Sequence, residues 1–124
     1  MNGRFLLDTN AIIALFERDQ NLLKHIANAD WIGISVISEL EFLAYPSILL
    51  EDALLFQEFK GQVEVVGLDH ENQKLLDEII KIRRKSNLKL PDSIVAATAN
   101  IQQSTLLTND AGFKRVVGLP CLNF

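Results

Sequence analysis

The sequence predicts an α/β fold of three layers, α/β/α, with a parallel sheet of four to five strands between two sets of helices. Three observations carry this. Short apolar runs of strand length alternate with segments of helical period along the whole chain, and strands joined through helices take right-handed crossovers into a parallel sheet covered on both faces. A late helical stretch carries Ala96, Ala97 and Ala99, small side chains that let a helix lie close on a sheet. Finally, the 124 residues contain no Ser/Gly/Pro-rich linker, repeat or low-complexity stretch, which suits one domain over residues 1–124 with a sizeable core.

The elements follow in order. Residues 4–7 read as a short buried strand, and residues 10–16 as a helix with Ile12, Ile13 and Phe16 turned inward. A second short helix covers residues 21–29. Residues 31–35 form an apolar run of strand length, followed by a helix over 36–45 that Pro46 stops. Residues 49–60 are helical by periodicity, with Gly61 as cap. The β-branched run 63–66 is a strand. Residues 71–85 make an amphipathic helix with Leu75, Leu76, Ile79, Ile80 and Ile82 on the core side, and Lys74/Glu78 and Asp77/Lys81 spaced for i,i+4 pairing. Residues 87–90 connect to a helix that Pro91 opens at its first position, where a missing N–H costs nothing. Residues 105–107 are a strand, and Val116-Val117 and residues 121–124 compete for a final edge strand.

An apolar content of 48% with 23% charged residues is that of an ordinary soluble globular protein. Asp8 and Glu17 interrupt the N-terminal apolar stretch, so neither a signal peptide nor a membrane span is expected. The single cysteine, Cys121, excludes an internal disulfide and fits a reducing cytoplasm. Neither His25 nor His70 has a partner at metal-ligand spacing.

The acids carry the chemistry. Asp8, Glu39, Asp92 and Asp110 each stand where a strand or helix begins or ends. In open α/β sheets the carboxyl edge of the strands is where ligands bind. Carboxylates gathered there repel one another unless a divalent cation joins them. Hard oxygen ligands without a His or Cys set point to Mg²⁺ or Mn²⁺, and the implied chemistry is metal-assisted phosphodiester cleavage. Each acid also has a plainer explanation. Asp92 and Glu39 suit a first helical turn, worth ~0.3–1 kcal/mol through the helix dipole. Ser38-x-x-Glu41 reads as a capping box, and the sequences around Asp8 and Asp110 suit ordinary turns. Asn10 and Thr108, neutral and adjacent, suit bonding to the carboxylates from behind, whereas Thr9 suits a helix cap.

A net charge of −4 argues against a nucleic-acid substrate. Four of the sixteen acids, however, belong to the proposed site, where a bound metal reverses the local field. Five of the twelve basic residues, Lys81, Arg83, Arg84, Lys85 and Lys89, cluster just before Asp92. Arg83, Arg84, Lys85 and Lys89 are candidates for RNA contact, and a solvated helix end is the alternative.

Four stretches, Leu6-Leu7-Asp8-Thr9-Asn10, residues 35–40, residues 90–99 and residues 106–113, resemble in order the signature blocks of PIN-domain ribonucleases, and the whole is most similar to VapC-type toxins of bacterial toxin–antitoxin pairs. The resemblance spans residues 4–113. It implies strand order 3-2-1-4-5, in which the first and fourth strands are neighbours, so that Asp8 and Asp110 flank one crevice joined by Glu39 and Asp92. It further implies a Mg²⁺- or Mn²⁺-dependent endoribonuclease, a homodimer, and a small antitoxin that lays a helix and tail across the toxin. Gly112 stands where many relatives carry an acid, which leaves Asp110 as the fourth acid, and Ala44 stands where a glycine is frequent. The residues Phe42, Tyr45, Leu49, Leu50, Leu54, Leu55, Phe56 and Phe59 offer more apolar surface than a core of this size needs, which suits a partner groove. Two alternatives remain open: a PIN nuclease of ordinary RNA processing, and a non-catalytic module of the same fold. A haloacid-dehalogenase-like phosphatase is excluded because Asn10 occupies the place of its second aspartate.

Overall fold

The computed structural model describes residues 3–124. Five strands, β1 (Arg4–Leu7), β2 (Trp31–Ser35), β3 (Glu64–Val66), β4 (Thr105–Leu107) and β5 (Cys121–Leu122), form one sheet in the order β3-β2-β1-β4-β5. All four pairings are parallel, with Leu6 of β1 opposite Gly33 on one side and Leu106 on the other. The helices are α1 (Thr9–Phe16), α2 (Gln20–Ile26), α3 (Val36–Leu43), α4 (Leu50–Lys60), α5 (Gln73–Ser86) and α6 (Leu90–Ile101), with a short 3-10 helix over Ala111–Arg115. The three-layer α/β fold and its strand order are those expected.

Alternation along the central strands feeds two cores. Leu6 and Leu106 pack on one face with Leu75, Ile79 and Ile82 of α5 and Val95, Ala96 and Ala99 of α6. Leu7 and Leu107 pack on the other with Ile12, Leu22, Phe42, Phe56 and Phe59. The alanines of α6 are fully buried, so that helix lies against the sheet without a bulky layer between. On the opposite face Phe42 stacks on Phe56 at 5.1 Å and Phe16 meets Phe42 edge-on at 5.2 Å. Aromatic pairs of this kind add about 0.5–1.5 kcal/mol each beyond area burial.

Gly33 is dictated by a neighbour on its own strand. Side chains two apart share a face, and a Cβ at Gly33 would sit 2.2 Å from the Trp31 ring. The ring lies over the glycine and carries the Arg4 guanidinium 4.4 Å from its centroid.

Several local expectations are corrected. Ile13 and Ile80 are exposed rather than turned inward, and Leu76 is only half-buried. Phe42, Phe56 and Phe59 are core, so the apolar surplus is confined to Tyr45, Leu49, Leu50, Leu54 and Leu55, which are exposed. α3 ends at Leu43, before Pro46 is reached. Gly61 does cap α4 as expected, with ordinary right-handed backbone at φ −73°. Leu90 precedes Pro91 in the first turn of α6. In α5 Lys81 pairs with Glu78 at 3.9 Å and Asp77 accepts from Gln73 at 2.8 Å, in place of the two i,i+4 ion pairs. The last strand is at 121–122, and Val117 is 97% exposed.

Candidate active site

The carboxyl ends of β1 and β4 lie side by side, and the residues that follow them are bonded into one unit. The Asp8 N–H donates to the Leu107 carbonyl at 3.1 Å, and the Thr108 N–H to the Leu122 carbonyl at 3.0 Å. Asp8 is 7% exposed. Its Oδ1 accepts from the Thr9 N–H at 2.8 Å and so caps α1, while Oδ2 accepts from the Thr108 hydroxyl at 2.9 Å and from the Asn10 amide at 3.4 Å. The Thr108 Oγ1 in turn accepts from the Asp110 N–H at 3.0 Å, and Asn10 Oδ1 accepts from the Asn109 N–H at 3.2 Å. Asn10 and Thr108 thus tie the buried carboxylate of one strand to the loop of its neighbour. Asp110 is exposed, and its Oδ1 accepts from the Gly112 N–H at 2.8 Å at the start of the 3-10 helix. A Cβ on Gly112 would stand 3.1 Å from that oxygen, so the missing side chain leaves room for the carboxylate to fold over the turn.

Asp92 lies in the first turn of α6, half-buried. Burial, then the charges of Asp110 and Glu41, push its carboxyl above the ordinary range, with Lys89 acting in the opposite sense. Asp8 is pushed up to about 6, chiefly by burial; the Thr108 and Thr9 hydrogen bonds oppose this, and the charges of Glu41 and Asp92 add to it. The field therefore joins Asp8, Glu41, Asp92 and Asp110.

Glu39 is placed elsewhere. Its Oε2 is 3.0 Å from Lys60 Nζ of α4, an ion pair that neutralises it. Residues two apart on a helix point roughly 200° apart, so Glu39 and Glu41 flank the buried Ser38/Phe42 stripe of α3 on opposite sides. Glu41 turns toward α1, where the Thr9 hydroxyl donates to its Oε1 at 2.8 Å. Thr9 is therefore a partner of Glu41, and Asp8 is the helix cap. The capping-box reading of Ser38-x-x-Glu41 is likewise corrected: α3 is capped by Ser35, whose Oγ accepts from the Ile37 N–H at 3.1 Å, and Ser38 is buried with no hydrogen-bond partner among the described residues. Glu41 was missed because the capping-box reading assigned it another task. The available signal was that only one of two acids at that spacing can face the site.

Residues 5–119 match the PIN domain family. The chain belongs to that family. No curated protein matches it in sequence. Solved structures with the same fold include a chain of the Rickettsia felis VapBC2 complex bound to a DNA fragment from their promoter, at a TM-score of 0.80, 19% identity and 98% coverage of both chains. A chain of DNA-bound VapBC from Salmonella typhimurium has a TM-score of 0.80 with 20% identity and 97% coverage of both. A toxin–antitoxin complex from Klebsiella pneumoniae has a TM-score of 0.74 with 23% identity and 94% coverage of both.

In this PIN domain the donor set suits a hard divalent cation: carboxylates only, mutually repelling, with Asp8 buried and, among the described residues, without a cationic partner. Among the described residues no three acids, histidines or cysteines close on a common point in this conformation, so the carboxylates share a field without forming a finished cage. Of the basic residues, Arg83, Arg84 and Lys85 fill the exposed last turn of α5, where Arg83 donates to Asn87 at 3.3 Å. Lys89, by its effect on Asp92, stands beside the acids.

Proposed function

We propose that this chain is a Mg²⁺- or Mn²⁺-dependent endoribonuclease and the toxin of a toxin–antitoxin pair, acting in the cytoplasm as a homodimer. The observation that carries the reading is the acidic field at the carboxyl edge of β1 and β4, where Asp8 is held up at about 6 by burial and by Glu41 and Asp92. Asp8, Asp92, Asp110 and Glu41 would hold the ion. When bound, it supplies positive charge at the scissile phosphate and a hydroxide nucleophile at neutral pH. Asn10 and Thr108 fix the Asp8 carboxylate, so its lone pairs keep one orientation. Glu41, steadied by Thr9, faces the same space and either joins the ligand set or takes the proton of the attacking water. The products are a 5′-phosphate and a 3′-hydroxyl.

An apolar cleft of about 350 Å³ supports the antitoxin. Ile13, Phe16, Phe42, Tyr45 and Ile48 form its apolar wall, Glu17 and Asp52 also line it, and Thr9 and Glu41 place it beside the acids. A partner helix laid there could send a tail with a basic side chain into the acidic centre. The structural neighbours from VapBC2 and from a toxin–antitoxin complex accord with that partner.

The test is cleavage of structured RNA by purified protein. Cutting should require Mg²⁺ or Mn²⁺, stop with EDTA and vanish in Asp8→Asn and Asp92→Asn with unchanged far-UV CD. Undiminished cutting by both variants rejects the site. An active enzyme that is harmless when expressed alone in several hosts would favour an RNA-processing nuclease. Folded wild type that cuts no RNA would favour a non-catalytic module.

A further inference from the structure

We infer that Lys81, Lys85 and Arg115 line a second subsite, separate from the acidic centre, that holds the phosphodiester backbone of an RNA strand. The inference rests on the nuclease reading for the identity of the anion.

The α5 helix and the end of the 3-10 helix enclose a cleft of about 310 Å³ that Lys81, Lys85, Ser86 and Arg115 line, with Glu78 as its one carboxylate. Glu78 is already engaged: Asn100 donates to its Oε2 at 3.1 Å and Lys81 lies 3.9 Å from its Oε1. Among the described residues neither Lys85 nor Arg115 has a carboxylate within ion-pair distance. Lys81 and Lys85 also border a second cleft across α5, which adds Arg84 and an Asp77 already bonded to Gln73. Four cations thus gather around one ridge in a chain whose net charge is −4.

A helix dipole accounts for cations in the last turn of α5 and of the 3-10 helix taken one at a time. It does not account for their convergence. Arg115 comes from a separate element and still lines the same cleft as two lysines. Lys85 and Arg115, which have no carboxylate of their own among the described residues, repel as like charges across the cleft, and an anion between them removes the repulsion. A phosphate oxygen is suited to the site, because Lys and Arg neutralise it and the Ser86 hydroxyl can donate to it. Among the described residues, the cleft is lined by no aromatic side chain on which a base could stack. It should therefore follow the backbone without reading sequence. It is also continuous in chain with the acidic centre: residues 87–91 lead from Ser86 to Asp92, and the 3-10 helix that Asp110 caps ends at Arg115, about 10 Å on at 2.0 Å per residue. A strand lying along this ridge would reach the carboxylates one loop away.

The probe is a short fluorescein-labelled oligouridylate, with binding followed by anisotropy in EDTA across a salt series, so that cleavage is not required. Lys85→Ala combined with Arg115→Ala should bind about tenfold more weakly. The slope of log affinity against log salt should become shallower by about 1.4, two phosphates at ~0.7 each. Lys74→Ala is the control, because Lys74 is exposed in the first turn of α5 and borders neither cleft; it should change affinity less than twofold. The subsite is overturned if the double variant keeps the wild-type slope, if Lys74→Ala loses as much, or if wild type binds no RNA at low salt. A double variant with wild-type RNA binding but weakened binding to a co-expressed protein partner would also overturn it, in favour of a protein-docking surface. Salt-dependent RNA binding by a wild type that cuts nothing in Mn²⁺ would reject the nuclease reading and leave the subsite standing.

Discussion

Asp8 does two tasks that pull in opposite directions. As a cap and as the acceptor of the Thr9, Asn10 and Thr108 donors it organises the start of α1 and the β4 loop. As a buried charge facing Glu41 and Asp92 it is poorly placed in the metal-free protein. The consequence for metal-free protein can be measured. Asp8 titrates at about 6 when folded, against an ordinary 3.8, so between those values the native state binds more protons than the unfolded one. Its contribution is full below about pH 4 and is lost as the pH rises through 6, a change of up to about 3 kcal/mol. Asp92, raised for the same reason, acts in the same direction. In EDTA, urea midpoints of wild type should fall from pH 4 to pH 7 more steeply than those of Asp8→Asn; parallel curves would show that burial does not raise this carboxyl. The two glutamates of α3 give a second contrast. Glu41→Gln should lower RNA cleavage by about 100-fold, the scale of a lost acid–base group. Glu39→Gln should leave the rate within threefold and lose up to about 1 kcal/mol of stability with its Lys60 pair. Equal losses of rate in both variants would mean that α3 presents both acids to the substrate. The sequence could not separate these two. Asp8, Asp92 and Asp110 are legible because a strand end or a helix start marks them, whereas the face of a helix that meets a site depends on which neighbour lies on which side.

Elements were legible where period and length agreed. The runs at 4–7, 31–35 and 105–107 became β1, β2 and β4 at those bounds, because apolar strands buried on both faces have no polar alternation to confuse them. Ends and caps were less legible, since side-chain hydrogen bonds decide them: Asp8 rather than Thr9 starts α1, and Ser35 rather than Ser38 starts α3. Exposed apolar positions on amphipathic helices, Ile13 and Ile80, were unreadable for a related reason. Periodicity gives the direction of a stripe but not how far its partner layer extends. Gly33 is another feature set by packing alone. Gly33→Ala would force the Trp31 ring, 2.2 Å from the new Cβ, off β2 and away from Arg4. Overpacking of this kind should destabilise by about 1–3 kcal/mol, seen as a lower urea midpoint at unchanged m-value. A variant as stable as wild type would mean that the ring has room to swing clear.

At the scale of the molecule, charge and apolar surface are segregated around one edge of the sheet. The acids occupy the carboxyl ends of β1 and β4, the cationic ridge lies on the α5 side, and the apolar cleft lies on the side of α1 and α3. That cleft is lined by Phe16 and Phe42, which belong to the core cluster, and by Ile13 and Tyr45, which do not need burial for folding. Ile13 is 45% and Tyr45 63% exposed, so a charge at either position should barely alter stability, as for most surface substitutions. In a docked helix, however, the same charge would be desolvated without a partner, and truncating or charging an anchor of this kind costs 2 kcal/mol or more, roughly thirtyfold in affinity. Tyr45→Glu, and Ile13→Glu as an independent second variant, should therefore keep the melting temperature and the RNase rate of wild type while failing to co-purify with the antitoxin. Expressed with the antitoxin, each should still arrest growth where the wild-type pair does not. Continued neutralisation of both variants would move the antitoxin away from this cleft, and the exposed Leu50 and Leu54 of α4 would be the next positions to charge.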